Sequence, residues 1–99
     1  VRSGVAVVFV PHTTAGVTLC ENTDPDVLRD MLFALERAVP SAGFYHGEGN
    51  SDAHAKALLT GASASVVVED GALCLGTWQG IFFCEYDGPR SRRVYVKLA

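Results

Sequence analysis

The order of apolar and polar positions predicts strands near the start of the chain. Val5–Val10 is a continuous apolar run rich in β-branched residues, which is typical of a strand buried on both faces. After a short polar turn, residues 16–21 alternate between apolar and polar and predict a second strand. We therefore expect two strands before the first helix.

The apolar spacing then changes to that of a helix. Asp24 can cap a helix that Pro25 begins. The apolar residues that follow recur at spacings of three and four: Leu28, Met31, Leu32, Leu35 and Val39. This stripe predicts a helix that ends before Pro40 and packs its apolar face into the core.

A second helix is predicted from about Asp52 to Thr60. Asn50 or Ser51 can cap its start, and Gly61 can end it. On such a helix His54, Leu58 and Gly61 share one face. His54 is therefore expected to point towards an apolar surface.

The last third of the chain predicts antiparallel strands. Residues 65–69 and 72–76 flank Asp70-Gly71, a strong hairpin signal, and residues 77–86 and 92–98 are expected to form the next pair. Strands, two helices and further strands indicate an α+β domain with a mostly antiparallel sheet. We expect residues 1–99 to form a single domain.

Composition adds an expectation about assembly. A chain of 99 residues buries only a thin core, yet 48% of its residues are hydrophobic and 19% are charged. Apolar surface left over is usually covered by another subunit. We therefore expect a homo-oligomer.

The charge and the cysteines limit which partners and which cellular compartment we expect. A net charge of −3 provides no general attraction for nucleic acid, so Arg90, Arg92, Arg93 and Lys97 are read as a solvated strand face. The three cysteines lie in apolar or alternating runs without CxxC spacing, which indicates reduced core residues. With no apolar run of about 18 residues, we expect a cytoplasmic protein that does not bind membranes.

Residues 45–54 contain the highest concentration of side chains that can transfer protons or bind metals. This segment holds His46, Glu48, Asn50, Asp52 and His54. Histidine titrates near neutral pH and is the commonest metal ligand. Glu48 could serve as a general base or orient a histidine, and the alternative role for these carboxylates is helix capping. The segment is therefore a candidate catalytic or metal site.

The remaining histidine, His12, lies in a second polar segment. Thr13 and Thr14 beside it offer hydroxyl donors suited to phosphate, and Gln79 would suit a pocket wall. If His12 meets His46 and His54, across the sheet or across a subunit boundary, three imidazoles could hold a divalent metal such as zinc or magnesium. The alternatives are a structural hydrogen-bond network at the cluster and a satisfied turn residue at His12.

Five blocks resemble the YjbQ family in sequence and order. They are VPHTTAG at 10–16, NTDPDV at 22–27, HGEGNSDAHAK at 46–56, LGTWQG at 75–80 and CEYDGPR at 84–90. The resemblance implies a β-sandwich with two helices, assembled as a homotrimer. It also implies that a further strand and helix would precede Val1.

The resemblance also implies an activity and a set of site residues. Family members are commonly labelled secondary thiamine-phosphate synthases, which join a pyrimidine pyrophosphate to a thiazole phosphate. By motif, His12, His46 and His54 would be the metal or catalytic histidines, and Glu48 and Asp52 their carboxylate partners. The substrate-contacting donors would be Thr13, Thr14, Asn50, Gln79 and Arg90.

Two functions from different classes follow. The first is a metal-associated trimeric enzyme that acts on a phosphorylated small molecule, with His12, Glu48 and His54 as catalytic residues. The second is a non-catalytic trimer that binds a phosphate-bearing metabolite or a metal ion. A third, simpler possibility is that the histidine cluster only joins subunits.

Overall fold

The chain forms six strands and two helices, which confirms the predicted α+β class. The computed structural model describes all residues, 1–99. The strands are β1 (Gly4–Phe9), β2 (Ala15–Glu21), β3 (Ser63–Glu69), β4 (Ala72–Leu73), β5 (Gln79–Glu85) and β6 (Tyr95–Leu98). The helices are α1 (Pro25–Ala38) and α2 (Ser51–Thr60), and both lie between β2 and β3 in the chain.

The strands form two antiparallel sheets rather than one meander. The larger sheet has the order β4-β3-β1-β6, and the smaller sheet pairs β2 with β5. The prediction that residues 77–86 pair with residues 92–98 is therefore wrong. The chain leaves β5, crosses to the other sheet through residues 86–94, and pairs β6 with β1. This crossing places the 86–94 loop beside the turn between β1 and β2.

The hairpin between β3 and β4 forms as predicted. Asp70 and Gly71 both have positive φ, 52° and 73°, as a two-residue type I′ turn requires. β4 is shorter than the predicted 72–76. Residues 76–79, which follow it, form a turn in which the Gly76 N–H donates to the Gln79 side-chain oxygen Oε1 at 2.8 Å.

The core is thin, as the chain length predicts, and it lies where the two sheets meet. Only twelve of 99 residues are buried. The central cluster is Val10, Ala15 and Val17, packed against Val8, Ala64 and Ile81. The prediction that β1 is buried on both faces is wrong for this chain, because Val5 and Phe9 remain exposed on one side.

Helix α1 forms as predicted, but only part of its apolar stripe is covered: Val39, just after the helix, is buried, Leu28 and Leu35 are half-buried, and Met31 and Leu32 are exposed. The Asp24 carboxylate accepts the Asp26 N–H at 2.9 Å and caps the helix. No residue of the helix is buried, and Met31, Leu32 and Phe33 are among its exposed residues. The reason is that α1 makes few contacts with the rest of the chain, chiefly with β2 and, through Glu36, with Lys56 of α2.

The shape of the chain agrees with this exposed helix. The radius of gyration is 15.2 Å, whereas a compact chain of this length would have about 13 Å. Neither helix is long and apolar enough to cross a lipid bilayer.

Candidate functional site

Three loops meet around a cavity of about 360 Å³ that we call the polar cavity. The loops are residues 11–14 between β1 and β2, the segment before α2, and residues 86–94 after β5. No Ala, Val, Leu, Ile, Met, Phe, Tyr or Trp side chain lines it. Its lining consists of Pro11, His12, Thr13, Thr14, Glu48, Asn50, His54, Asp87, Arg90 and Arg92.

The first loop is fixed at both ends by the core. Val10 and Ala15, which flank it, are each 1% exposed. The backbone carbonyl of Thr14 accepts the Tyr86 N–H at 3.2 Å and so ties this loop to the loop after β5. The polar residues between the two anchors are therefore held at the cavity rather than free in solvent.

Arg92 crosses the base of this region and joins two elements. Its Nε donates to Glu85 Oε1 at 2.7 Å, and its Nη2 donates to Glu85 Oε2 at 2.5 Å and to Thr14 Oγ1 at 2.9 Å. The hydrogen bonds from Arg92 lower the pKa of the Glu85 carboxyl from 4.5 to about 2. The same bonds raise the pKa of Arg92. This pair stays ionised across the physiological pH range and holds the guanidinium in one orientation.

A second pair of charged groups, Asp87 and Arg90, also lines the cavity. Arg90 Nη2 donates to Asp87 Oδ2 at 2.9 Å, and Arg90 Nε donates to the Asp87 carbonyl at 2.8 Å. Asn50 Nδ2 donates to the carboxylate oxygen Asp87 Oδ2 at 2.9 Å. This amide contact, together with the nearby Arg90 and Arg92, lowers the pKa of Asp87. Asn50 is thus the N-cap residue of α2 by position, but its side chain binds Asp87 rather than the helix amides.

Both guanidinium groups keep donors that no protein atom accepts. The hydrogen bonds of Arg90 and Arg92 use only Nε and Nη2. An arginine has five N–H donors, of which Nη1 carries two. Each arginine is therefore oriented by a carboxylate on one side and can offer Nη1 to a ligand. This arrangement suits the oxygens of a phosphate or carboxylate.

His12 is held by a backbone contact. Its Nε2 accepts the Arg93 N–H at 2.8 Å. A neutral imidazole that accepts through Nε2 carries its proton on Nδ1. In this arrangement His12 can donate a hydrogen bond through Nδ1, but neither of its nitrogens offers a lone pair to a metal ion.

His46, in the loop before α2, lies next to His54 on the helix. Their ring centroids are 5.6 Å apart in an edge-on arrangement, and His46 Nε2 lies 3.6 Å from Glu48 Oε1. No group of three His, Cys, Asp or Glu side chains in the chain is arranged to hold a metal ion. The geometry of a single chain therefore does not support the predicted three-histidine site for zinc or magnesium.

Comparison with known proteins places the chain in a family. The profile described as UPF0047 protein, YjbQ-like, matches residues 1–99. The chain belongs to the YjbQ/UPF0047 family. It is 54% identical to a UPF0047 protein of Methanocaldococcus jannaschii over 99% of this chain and 72% of that protein. The Bacillus subtilis relative YugU is 52% identical, with coverage of 99% and 76%.

Solved structures of this family agree with the fold. An uncharacterised YjbQ/UPF0047 protein from Clostridium acetobutylicum matches with a TM-score of 0.97 and 57% identity, over 100% of this chain and 78% of that one. A conserved hypothetical protein from Thermus thermophilus matches with a TM-score of 0.93 and 46% identity, over 99% and 79%. The YjbQ-family fold is therefore established for this chain.

The polar cavity collects most, but not all, of the residues predicted from this family's motifs. Seven of them line it: His12, Thr13, Thr14, Glu48, Asn50, His54 and Arg90. Three lie elsewhere. His46 lies edge-on to His54, Asp52 accepts the Ala53 N–H at 2.9 Å, and Gln79 accepts the Gly76 N–H in a turn.

Sequence reasoning missed two charged residues of the cavity. Asp87 was not singled out, and Arg92 was assigned to a solvated strand face, although only 12% of its side chain is exposed. Its position depends on the 86–94 loop crossing between sheets, which the predicted hairpin excluded. The block CEYDGPR, which contains Asp87 and Glu85, was the only sequence signal that pointed to this loop.

Proposed function

We propose that this protein binds the phosphate group of a small molecule in the polar cavity and acts on that molecule as an enzyme. The observation that carries the proposal is the pair of Nη1 groups of Arg90 and Arg92, which have no protein acceptor beside a cavity lined by polar residues. The hydroxyl groups of Thr13 and Thr14 and the Nδ1–H of His12 add donors to the same space. Together they provide what the oxygens of a phosphate ester require.

Catalysis is assigned to His12, Glu48 and His54. All three line the cavity, so their side chains can reach a bound ligand for proton transfer. His12 would donate a hydrogen bond to a developing negative charge, Glu48 would take a proton from water or a substrate hydroxyl, and His54 would return a proton to the leaving group. A non-catalytic binding protein is the second candidate. It is supported by the 74% exposure of the Glu48 side chain, because a general base is usually tuned by desolvation.

Titration with inorganic phosphate tests the binding step. We expect Arg90→Ala to weaken binding about tenfold or more, because a hydrogen bond to a charged group contributes about 1.5–3 kcal/mol. Arg93→Ala is the matched control, since Arg93 is exposed and does not line the cavity. Equal affinities of the two variants, measured by calorimetry, would contradict the assignment.

Thiamine-phosphate synthesis is the specific reaction that we test first. The protein is incubated with the pyrimidine pyrophosphate and the thiazole phosphate, and thiamine phosphate is measured by chromatography. We expect product with the wild type and its loss with Glu48→Gln or His54→Gln. Phosphate binding without any turnover would favour the non-catalytic candidate.

A cytoplasmic homotrimer is the assembly that we propose, with no nucleic-acid or membrane partner. The exposed apolar residues of α1 support an assembly, because large apolar surfaces are usually covered in solution. Sedimentation equilibrium tests it directly, and a mass of one chain would contradict it. A divalent metal is not included, since the ligands of one chain do not fit it.

A further inference from the structure

A second cleft of about 400 Å³ adjoins the polar cavity and has a different lining. The two spaces share three residues, His12, Thr13 and His54. The rest of the second lining is glycine, alanine and leucine: Ala15, Ala57, Leu58, Gly61 and Ala62. We call this space the apolar cleft. A polar and an apolar site thus meet at one wall that carries two imidazoles.

The floor of the apolar cleft is fixed by close packing of α2 against β2. The Val17 N–H donates to the Gly61 carbonyl at 3.0 Å, and a Cβ on Gly16 would lie only 2.6 Å from that carbonyl oxygen. Ala15 and Ala57 are buried beneath the cleft, at 1% and 7% exposure. The small side chains therefore leave a cleft with a floor that larger residues would fill.

We propose that the ligand is a phosphate monoester of an alcohol with a compact apolar group, and that it spans both spaces. The inference rests on the proposed function, which places the phosphate against Arg90 and Arg92. The apolar group then lies in the cleft against Ala57 and Leu58. The ester linkage between the two groups passes His12 and His54, because these side chains belong to both linings.

Three phosphate probes test this ligand class by calorimetry. They are inorganic phosphate, glycerol phosphate with a hydrophilic group, and phenyl phosphate with an apolar group. Burial of apolar surface stabilises a complex in proportion to its area, so we expect phenyl phosphate to bind about tenfold more tightly than the other two. Equal binding of phenyl phosphate and glycerol phosphate would overturn the inference and leave the proposed function intact.

A matched pair of variants localises the effect. Leu58→Asn changes the cleft, and Leu59→Asn changes a neighbouring leucine that lines neither space. Both leucines are exposed, at 82% and 61%, so both variants should fold. We expect Leu58→Asn to reduce the preference for phenyl phosphate to about twofold, with inorganic phosphate unchanged, and Leu59→Asn to keep the preference.

Two outcomes contradict the inference in different ways. An unchanged preference in Leu58→Asn, with an altered sedimentation mass, would show that Leu58 belongs to a subunit contact instead. Failure of all three probes to bind the wild type would refute the proposed function, and the ligand class with it. Weakened binding of inorganic phosphate in Leu58→Asn would show that the two spaces do not act separately and would also overturn the inference.

Discussion

The polar cavity and helix α1 differ in whether their side chains find partners within one chain. At the cavity, Glu85 and Asp87 each accept from an arginine, and Asn50 also donates to Asp87. On α1, Met31, Leu32 and Phe33 lie on a helix that has no buried residue. The charged site is therefore organised within one chain, whereas the apolar helix is not.

The difference reflects the physical cost of each kind of group. A charged group that loses water must find its partner close by, because an unpaired charge in a partly buried position is strongly unfavourable. An exposed apolar side chain has no such local requirement and can be covered by any apolar surface. The local hydrogen bonds are consistent with the proposed ligand site, and the exposed residues of the helix support the proposed assembly.

Removal of the Arg92 side chain should have the largest effect on the cavity. Arg92→Ala leaves Glu85 without its partner and removes the donors to Thr14, so we expect the unfolding free energy to fall by about 2 kcal/mol, as for hydrogen bonds to charged groups in a partly exposed pair. Urea denaturation measures this change. Arg2→Ala is the control, because the Arg2–Asp70 pair is 83% and 95% exposed and should contribute less than about 0.5 kcal/mol. Similar losses in both variants would remove the distinction between a structural ion pair and a surface one.

A polar substitution on α1 should act on assembly instead. We expect Phe33→Ser to weaken subunit association by about 2 kcal/mol, because its ring would be buried in the proposed trimer. Sedimentation equilibrium over a range of concentrations measures the shift towards single chains. Phosphate binding per chain should stay within twofold of the wild type. A trimer that is unchanged by Phe33→Ser would place the interface elsewhere.

The contribution of Glu85 to folding stability should depend on pH, with a smaller effect than the two substitutions above. Its pKa is lowered from 4.5 to about 2 in the folded chain. Below pH 4.5 Glu85 is protonated in the unfolded chain but stays ionised in the folded chain. The free energy of unfolding therefore falls as the pH drops towards 2. We expect less loss between pH 5 and pH 3 in Glu85→Gln than in the wild type. Asp70→Asn, on an exposed turn, should follow the wild-type curve, and identical slopes for all three proteins would contradict the pairing.

The smallest expected effect concerns Asn50. Its amide donates to Asp87 and lowers the pKa of that carboxyl. Asn50→Ala should therefore raise the pKa of Asp87 towards its usual range, which a carboxyl titration by NMR would detect. Since Arg90 also contacts Asp87, the return should be incomplete. No change in the titration of Asp87 would mean that the amide is not a donor to it.

Local structure could be predicted from the sequence because its causes are local. The cap at Asp24 and the turn at Asp70-Gly71 each depend on a few adjacent residues, and both formed as expected. Strand pairing depends on which distant segment is nearby, and the predicted pairing of 77–86 with 92–98 failed for that reason. The predicted burial of the α1 stripe holds for Val39 but not for Met31 and Leu32, because periodicity identifies an apolar face but not the surface that covers it.

The candidate site was predicted in part for the same reason. Motif blocks identified His12, His54 and Arg90, and the fold brings them to one cavity. Spacing could not show that the Arg93 N–H occupies His12 Nε2, nor that Arg92 turns inward to Glu85. Both contacts arise where the 86–94 loop crosses between sheets.

A crystal structure with phenyl phosphate bound would test the central claim most directly. We predict that the phosphate oxygens lie within hydrogen-bond distance of Nη1 of Arg90 and Nη1 of Arg92, with the ring beside Leu58. A phosphate bound at another surface, with Nη1 of both arginines still without an acceptor, would contradict the account.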